Sequence, residues 1–301
     1  QRGTKTCPAL RAKFTRRTHT ALNSIPLGGE DRRAREVRAR AGAVDPGSPR
    51  VDEDKDVTWR GEDEFTVVGD RCPDTPLPLP CIKRHRRVAL VRHGQSTWNA
   101  AGRVQGCTNY AVLTAKGEAQ AEVTQRMLEN DDFYKMFRSP LARAWRTGEI
   151  VWGDRELPTE ELPGLREVDL YSFQGLYKGE GKRLYGEQYL KWQKDPANFE
   201  LDGHFPVREL WYRASLCWQK ILAEEAPPRV LVVAHNAINQ GLLNTALGLP
   251  PSFFRCFLQS NAAVTVLDFA PPLEGEGQAP RVTVERMNYS PDSPLQGGGA
   301  G

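Results

Sequence analysis

The chain has 301 residues, 39% of them hydrophobic, with a net charge of +3 at neutral pH, enough for one large domain or two small ones. So small and scattered a charge excess does not mark a nucleic-acid binder, and apolar runs of about five residues are too short to span a membrane. The six cysteines (Cys7, Cys72, Cys81, Cys107, Cys217, Cys256) form no CxxC pair and no cluster with histidine at metal-ligand spacing, which speaks against zinc and leaves a reducing compartment as the default.

Residues 1–29 carry Arg2, Lys5, Arg11, Lys13, Arg16 and Arg17 and no acid before Glu30. That composition suits an organelle transit peptide, the alternative being an ordinary basic tail. Residues 30–65 remain charged with little to bury, so 1–65 is expected to be disordered. A proline-rich linker, 66–81, leads into the fold. Within it Cys72 and Cys81 could close a regulatory disulfide or stand close by coincidence. The basic run 83–87 reads as a solvated strand edge.

Residues 88–91, Val-Ala-Leu-Val, predict a buried strand that ends in Arg92-His93-Gly94, and ligands of open α/β folds bind at that end of a strand. Thr114 is the expected N-cap of a helix to about Leu128, with Ala119, Val123 and Met127 at helical spacing. A strand is expected at 133–137. Ser139 as N-cap and Pro140 as first residue then open a second helix, with Arg143 in its first turn. Residues 163–175 read as a loop, 179–192 as a helical insert and 206–222 as a long helix. Trp145, Trp211 and Trp218 are expected in the core. A second buried strand, 229–234, delivers His235, followed by a helix at 239–247. Closing strands are expected at 264–269 and 282–286, and a loose tail at 289–301. The alternation predicts a three-layer α/β/α sandwich with a mainly parallel sheet over 82–288.

Two apolar strands that each end in a histidine, with arginines at the end of one strand and in a helical first turn, suit a phosphoryl group. Arginine forks bind phosphate oxygens bidentately. Neighbouring cations also disfavour protonation of a histidine and keep its imidazole nucleophilic.

The ordered motifs Arg92-His93-Gly94 with Ser96 and Asn99, Leu113-Thr114 with Gly117, Ser139-Pro140-Leu141 with Arg143, Leu165-Arg166-Glu167 with Gln174-Gly175, and Ala234-His235 resemble the histidine phosphatase superfamily, also called phosphoglycerate-mutase-like. The resemblance implies that His93 attacks phosphorus and forms a phosphohistidine. It implies that Arg92, Arg143 and His235 hold the phosphoryl oxygens and that Glu167 protonates the leaving alkoxide and then helps activate water. Asn99 would help hold the phosphoryl group, and Gln105, Gly106 and Asn236 would line the pocket. No metal or cofactor is implied.

The stretch 175–192 resembles that of the cofactor-dependent mutases, which follow its tryptophan with two arginines. Here Gln193 and Lys194 follow Trp192, and Leu170 stands where the mutases have tyrosine. Losing a bidentate pair weakens the grip on a second phosphate, so a hydrolase is expected. A mutase or a non-catalytic phosphate-ester binder are the alternatives. Residues 167–175, 192–199, 202–210, 234–240 and 258–261 resemble the plant and algal 2-carboxy-D-arabinitol-1-phosphatases, enzymes of the chloroplast stroma that remove a tight-binding Rubisco inhibitor. A small-molecule sugar phosphate in that compartment is therefore the expected partner, with no nucleic acid, no membrane and no oligomeric state specified. Lys178, Lys182, Arg183 and Arg208 are candidates for a second anion site or for plain solvated surface. His204 is expected to pack a loop. Residues 179–183 fail as a phosphate-binding P-loop, because Arg183 replaces the required Ser or Thr.

Overall fold

The structure, a computed structural model, describes residues 76–223, 225–273 and 279–290. The transit-like segment 1–65, Cys72 and its pairing with Cys81, and residues 291–301 of the tail lie outside the described residues.

The two Val/Leu/Ala runs are buried on both faces, as central parallel strands require. They form β1 (Arg86–Arg92) and β4 (Arg229–Ala234), paired in parallel with Val88 opposite Val230 and Arg92 opposite Ala234. On the other side of β4 lie β2 (Lys135–Arg138) and then β3 (Thr159–Glu161), both parallel. Beyond β1, β5 (Val264–Ala270) and β6 (Arg281–Tyr289) run antiparallel, giving the order β3-β2-β4-β1-β5-β6. The C-terminal ends of β1, β2 and β4 thus meet on one edge. The chain there presents His93, Ser139 and His235 side by side.

Alternate residues of the strands feed two cores. Val88, Leu90, Val230 and Val232 pack with Trp211 and Trp218 of one long helix and with Ile238 and Leu242 of another. Ala89, Val91, Leu231 and Val233 pack on the opposite face with Ala121, Val151 and Trp152. The three-layer α/β/α sandwich is the expected one. Its helices are α1 (Thr97–Ala100), α2 (Ala115–Met127), α3 (Ala142–Trp152), α4 (Lys178–Lys194, broken at Gly186), α5 (Pro206–Ile221) and α6 (Asn236–Ala246). No helix among the described residues is long and apolar enough to cross a membrane.

Several local expectations shift. Thr114 caps α2 as expected, its hydroxyl accepting from Gly117 N. The buried face, however, is Gly117, Gln120, Ala121 and Thr124 rather than the Ala119–Val123–Met127 stripe. Backbone contact sets this phase: a Cβ on Gly94 would fall 2.2 Å from Gly117 O, and one on Gly117 would fall 2.1 Å from Gln95 O. Ser139 and Pro140 precede α3 instead of opening it, and Leu141 occupies the cap with no side-chain bond. α6 begins at Asn236 rather than Asn239, with His235 as its N-cap residue. Trp211 and Trp218 are buried, but Trp145 is half-exposed beneath the Arg138 guanidinium, 3.2 Å from its ring centroid. Tyr289 ends β6 opposite Val264 and does not begin a tail.

Candidate active site

β1 delivers His93 into a buried position where its Nδ1 lies 2.7 Å from Gly94 O. A carbonyl only accepts, so Nδ1 carries the ring proton and Nε2 keeps its lone pair. Burial first, then the Arg143 and Arg92 charges, hold the His93 pKa well below its ordinary 6.5, so the ring is neutral at physiological pH.

Both arginines are held by backbone carbonyls rather than by acids. Arg92 donates through Nη1 to Gln259 O. Arg143, completely buried, donates to Thr108 O (2.7 Å) and Gly106 O (2.8 Å), carbonyls presented by a loop that turns at Gly106 with φ +52. The Nε groups of both arginines are buried with no protein partner among the described residues. Such fixed, unneutralised donors suit a group that brings its own negative charge. Burial lowers both pKa values, that of Arg143 to about 10, which leaves each cationic at neutral pH.

Asn99 sits on α1, the short helix capped by Ser96. Its Oδ1 accepts from Ser96 N and Asn261 Nδ2, so its Nδ2 is the group left to donate to an oxygen. Ser96 also donates to Gln105 Oε1 at 2.8 Å, joining Gln105 to the same network. Glu167 follows the 3₁₀ turn Pro163–Leu165 and reaches the N-terminus of α6. Oε1 accepts from Val168 N, Ala237 N and Ile238 N, and Oε2 from Ala237 N alone. The early start of α6 creates these donors, since the first turn of a helix leaves its N–H groups free.

His235 places its ring 5.1 Å from that of His93, at a 60° tilt. Its Nε2 lies 2.7 Å from Ser139 Oγ, and its Nδ1 is buried without a partner among the described residues. Ser139, expected as a helix cap, is instead the residue that orients this imidazole. Burial and then the Arg143 charge hold His235 well below 6.5 as well.

These groups face a cavity of about 880 Å³ whose charged lining is Arg92, Lys116, Arg143, Lys178 and Arg255 against the single carboxylate of Glu167. The imbalance favours an anionic occupant. His93, Asn99, Gln105, Gly106 and Asn236 line it too, whereas His235 stands behind His93 and does not. Of the suggested second-anion residues only Lys178 is on the wall. Arg183 lies 3.9 Å from Glu180 on the exposed side of α4, and Arg208 is tied to Ala197 O and Asn198 Oδ1. His204 stacks on Tyr171 (4.1 Å) and contacts Glu209, the packing role expected of it. Among the described residues no group of three or more His, Cys, Asp or Glu could hold a metal ion.

Sequence reasoning assigned no role to Arg255 or to Gln259, whose buried amide lines the cavity with neither atom bonded among the described residues. Both sit in an irregular loop where no periodicity applies. The one available signal was a cation directly after two aromatic residues, Phe253 and Phe254.

The family model described as the histidine phosphatase superfamily, branch 1, matches residues 88–274. The Arabidopsis thaliana protein named "Probable 2-carboxy-D-arabinitol-1-phosphatase" is 56% identical over 220 residues, covering 73% of this chain and 45% of its own length. The "2-carboxy-D-arabinitol-1-phosphatase" of Triticum aestivum is 53% identical over 226 residues, or 75% of this chain and 45% of its own. The chain therefore spans somewhat under half the length of these relatives. Among solved structures, mycobacterial glucosyl-3-phosphoglycerate phosphatase in complex with VO3 is similar with a TM-score of 0.59 and 25% identity, over 68% of this chain and all of that one.

Proposed function

The chain belongs to the histidine phosphatase superfamily, and on that premise we propose that it is a phosphoric monoester hydrolase acting through a phosphohistidine. The observation that carries the reading is the tautomer of His93: with Nδ1–H held by Gly94 O, the Nε2 lone pair is the nucleophile, inside a cavity with five cations and one carboxylate. Nε2 attacks phosphorus and the bond to the ester oxygen breaks. Glu167 protonates the departing alkoxide, its Oε2 being the oxygen less occupied by backbone donors. Water then attacks phosphorus as Glu167 takes up its proton, the Nε2–P bond breaks, and inorganic phosphate leaves with His93 restored. Arg92, Arg143 and Asn99 Nδ2 stabilise the charge on the transferring group. His235 completes the cage from behind His93, and Gln105, Gly106 and Asn236 shape the wall.

The substrate in this reading is a sugar phosphate, first 2-carboxy-D-arabinitol 1-phosphate or a related Rubisco-inhibiting sugar phosphate. The names of two relatives more than half identical over about three quarters of the chain support it. Gln193 and Lys194 in place of an arginine pair favour hydrolysis over mutase chemistry. The basic, acid-free residues 1–29 and the plant origin of both relatives support a site of action in the chloroplast stroma.

Purified protein is expected to release phosphate from 2-carboxy-D-arabinitol 1-phosphate and to give an acid-labile phosphoenzyme on rapid quench. His93→Ala should lose both, with kcat/KM down by about 10⁴-fold or more and an unchanged circular dichroism spectrum. Wild-type turnover by His93→Ala would refute the mechanism. No release from any member of a sugar phosphate panel would refute the hydrolase, and interconversion of 3- and 2-phosphoglycerate would make it a mutase.

A further inference from the structure

We propose that Arg255 is a specificity-determining residue that grips a second anionic group of the substrate, so that the site selects doubly anionic sugar esters. The inference rests on the phosphatase reading for the first anion and concerns the second.

Arg255 lies between the 3₁₀ turn Pro251–Phe253 and β5 and lines the same cavity as His93. Its Nη1 donates to Trp192 O and Gln193 O, both at 2.9 Å. The guanidinium stands 4.4 Å from the Trp192 ring centroid and 5.1 Å from that of Phe254. Two carbonyls and two aromatic faces therefore fix a planar fork before any ligand arrives. Among the described residues no carboxylate pairs with it, and its Nε and Nη2 are left to donate.

The backbone points the same way. Arg255 has φ +73, a left-handed conformation that is strained for a residue with a side chain. It is held there by Gln240, a buried residue of α6 whose Oε1 accepts from Arg255 N at 2.7 Å. Glycine would adopt this conformation freely. An arginine kept there, and braced by a buried amide, is an outlier of the kind that gathers at ligand sites.

Position supplies the third argument. The helix α4 ends in Trp192-Gln193-Lys194, where the sequence resemblance places an arginine pair in the mutases. Arg255 brings a guanidinium to those same backbone carbonyls from 62 residues further along the chain. Arg92 and Arg143 suffice for one phosphoryl group. Lys116, Lys178 and Arg255 all line the cavity and are all exposed, but of the three Arg255 is the one whose head group is tied to backbone carbonyls. A carboxylate or a phosphate on the substrate satisfies the same fork, so both are tested.

Titration calorimetry with the His93→Ala protein, which leaves substrates intact, separates the cases. The probes are 2-carboxy-D-arabinitol 1-phosphate, ribulose 1,5-bisphosphate, ribulose 5-phosphate and inorganic phosphate. Adding Arg255→Gln should weaken the two doubly anionic probes about 10–100-fold, the range for a lost charge-assisted hydrogen bond. Ribulose 5-phosphate and inorganic phosphate should change less than about threefold. Weakening of only one doubly anionic probe assigns the fork to that probe's second group. Arg255→Lys should recover part of the loss, and Arg255→Gly, which relieves the backbone, should recover none. Equal weakening of all four probes, or recovery by Arg255→Gly, would make Arg255 a structural prop and overturn the proposal. So would unchanged affinity for both doubly anionic probes, or no binding of them to His93→Ala alone. Because binding is read without turnover, a failure of the phosphatase reading shows separately, as binding without phosphate release by the wild-type protein.

Discussion

At the scale of single residues, the proposed chemistry depends on two neutral imidazoles buried among permanent cations. His93 and His235 lie with their ring centroids 5.1 Å apart, each with a pKa depressed first by burial and then by Arg143. The consequence for stability has a definite sign. In the unfolded chain these side chains take up protons below about pH 6.5, whereas in the folded chain they stay neutral. The unfolded state therefore binds more protons as pH falls, and stability present above pH 6.5 is lost below it. Each histidine contributes up to about 1.4 kcal/mol per pH unit. The urea midpoint should fall clearly between pH 7.5 and pH 5.5, with a smaller fall for His235→Asn. Equal midpoints for the wild type at the two pH values would mean that the rings are protonated in the fold. Of these residues, His93, Arg92 and Arg143 were legible in the sequence, because each lies at a recognisable strand end or helix start, whereas Glu167, in a loop without periodicity, was marked only by the family resemblance. Ser139 was legible only as a cap. That its hydroxyl meets His235 depends on β2 and β4 lying side by side, 96 residues apart in sequence.

At the scale of elements, the site is held by one backbone contact and by two helix starts. The turn after β1 meets the first turn of α2 so closely that neither Gly94 nor Gly117 has room for a methyl group. Both obstacles are backbone atoms and cannot swing aside as a side chain would. Gly94→Ala and Gly117→Ala should each cost toward the upper end of the about 1–3 kcal/mol typical of overpacking. The double variant should lose less than the sum, since parting the backbones once serves both methyl groups. Strictly additive losses in urea titrations would show the two positions to be independent. What approaches Gly94 so closely is the main chain of α2, a contact between segments that no local pattern in the sequence encodes. The later start of α3 and the earlier start of α6 have tertiary causes too. Ser139 is drawn to His235, and the α6 N–H groups are drawn to Glu167.

At the scale of the whole molecule, the described residues include a six-stranded sheet, two cores and the cavity. The earliest described residues are tied to α5, Leu77 N donating to Ser215 Oγ and Gln219 Nε2 to Pro78 O. On the proposed division of the chain, deleting residues 1–65 should leave kcat/KM within about twofold and abolish uptake by isolated chloroplasts, the twofold allowance reflecting distant, uncoupled sites. A larger loss of activity would place part of the catalytic domain in that segment. Undiminished uptake would remove the transit role. The sequence by itself determined the fold class and the two central strands, and its motif order singled out His93, its arginines and Glu167 as the proposed catalytic groups, because strand burial and motif order are properties of contiguous residues. Only the tertiary structure decided which ring nitrogen of His93 is free, what Ser139 binds, and that Arg255 rather than Lys182, Arg183 or Arg208 enters the cavity. Those outcomes depend on contacts between segments tens of residues apart, and neither periodicity nor propensity, which act over a few residues, carries information about them.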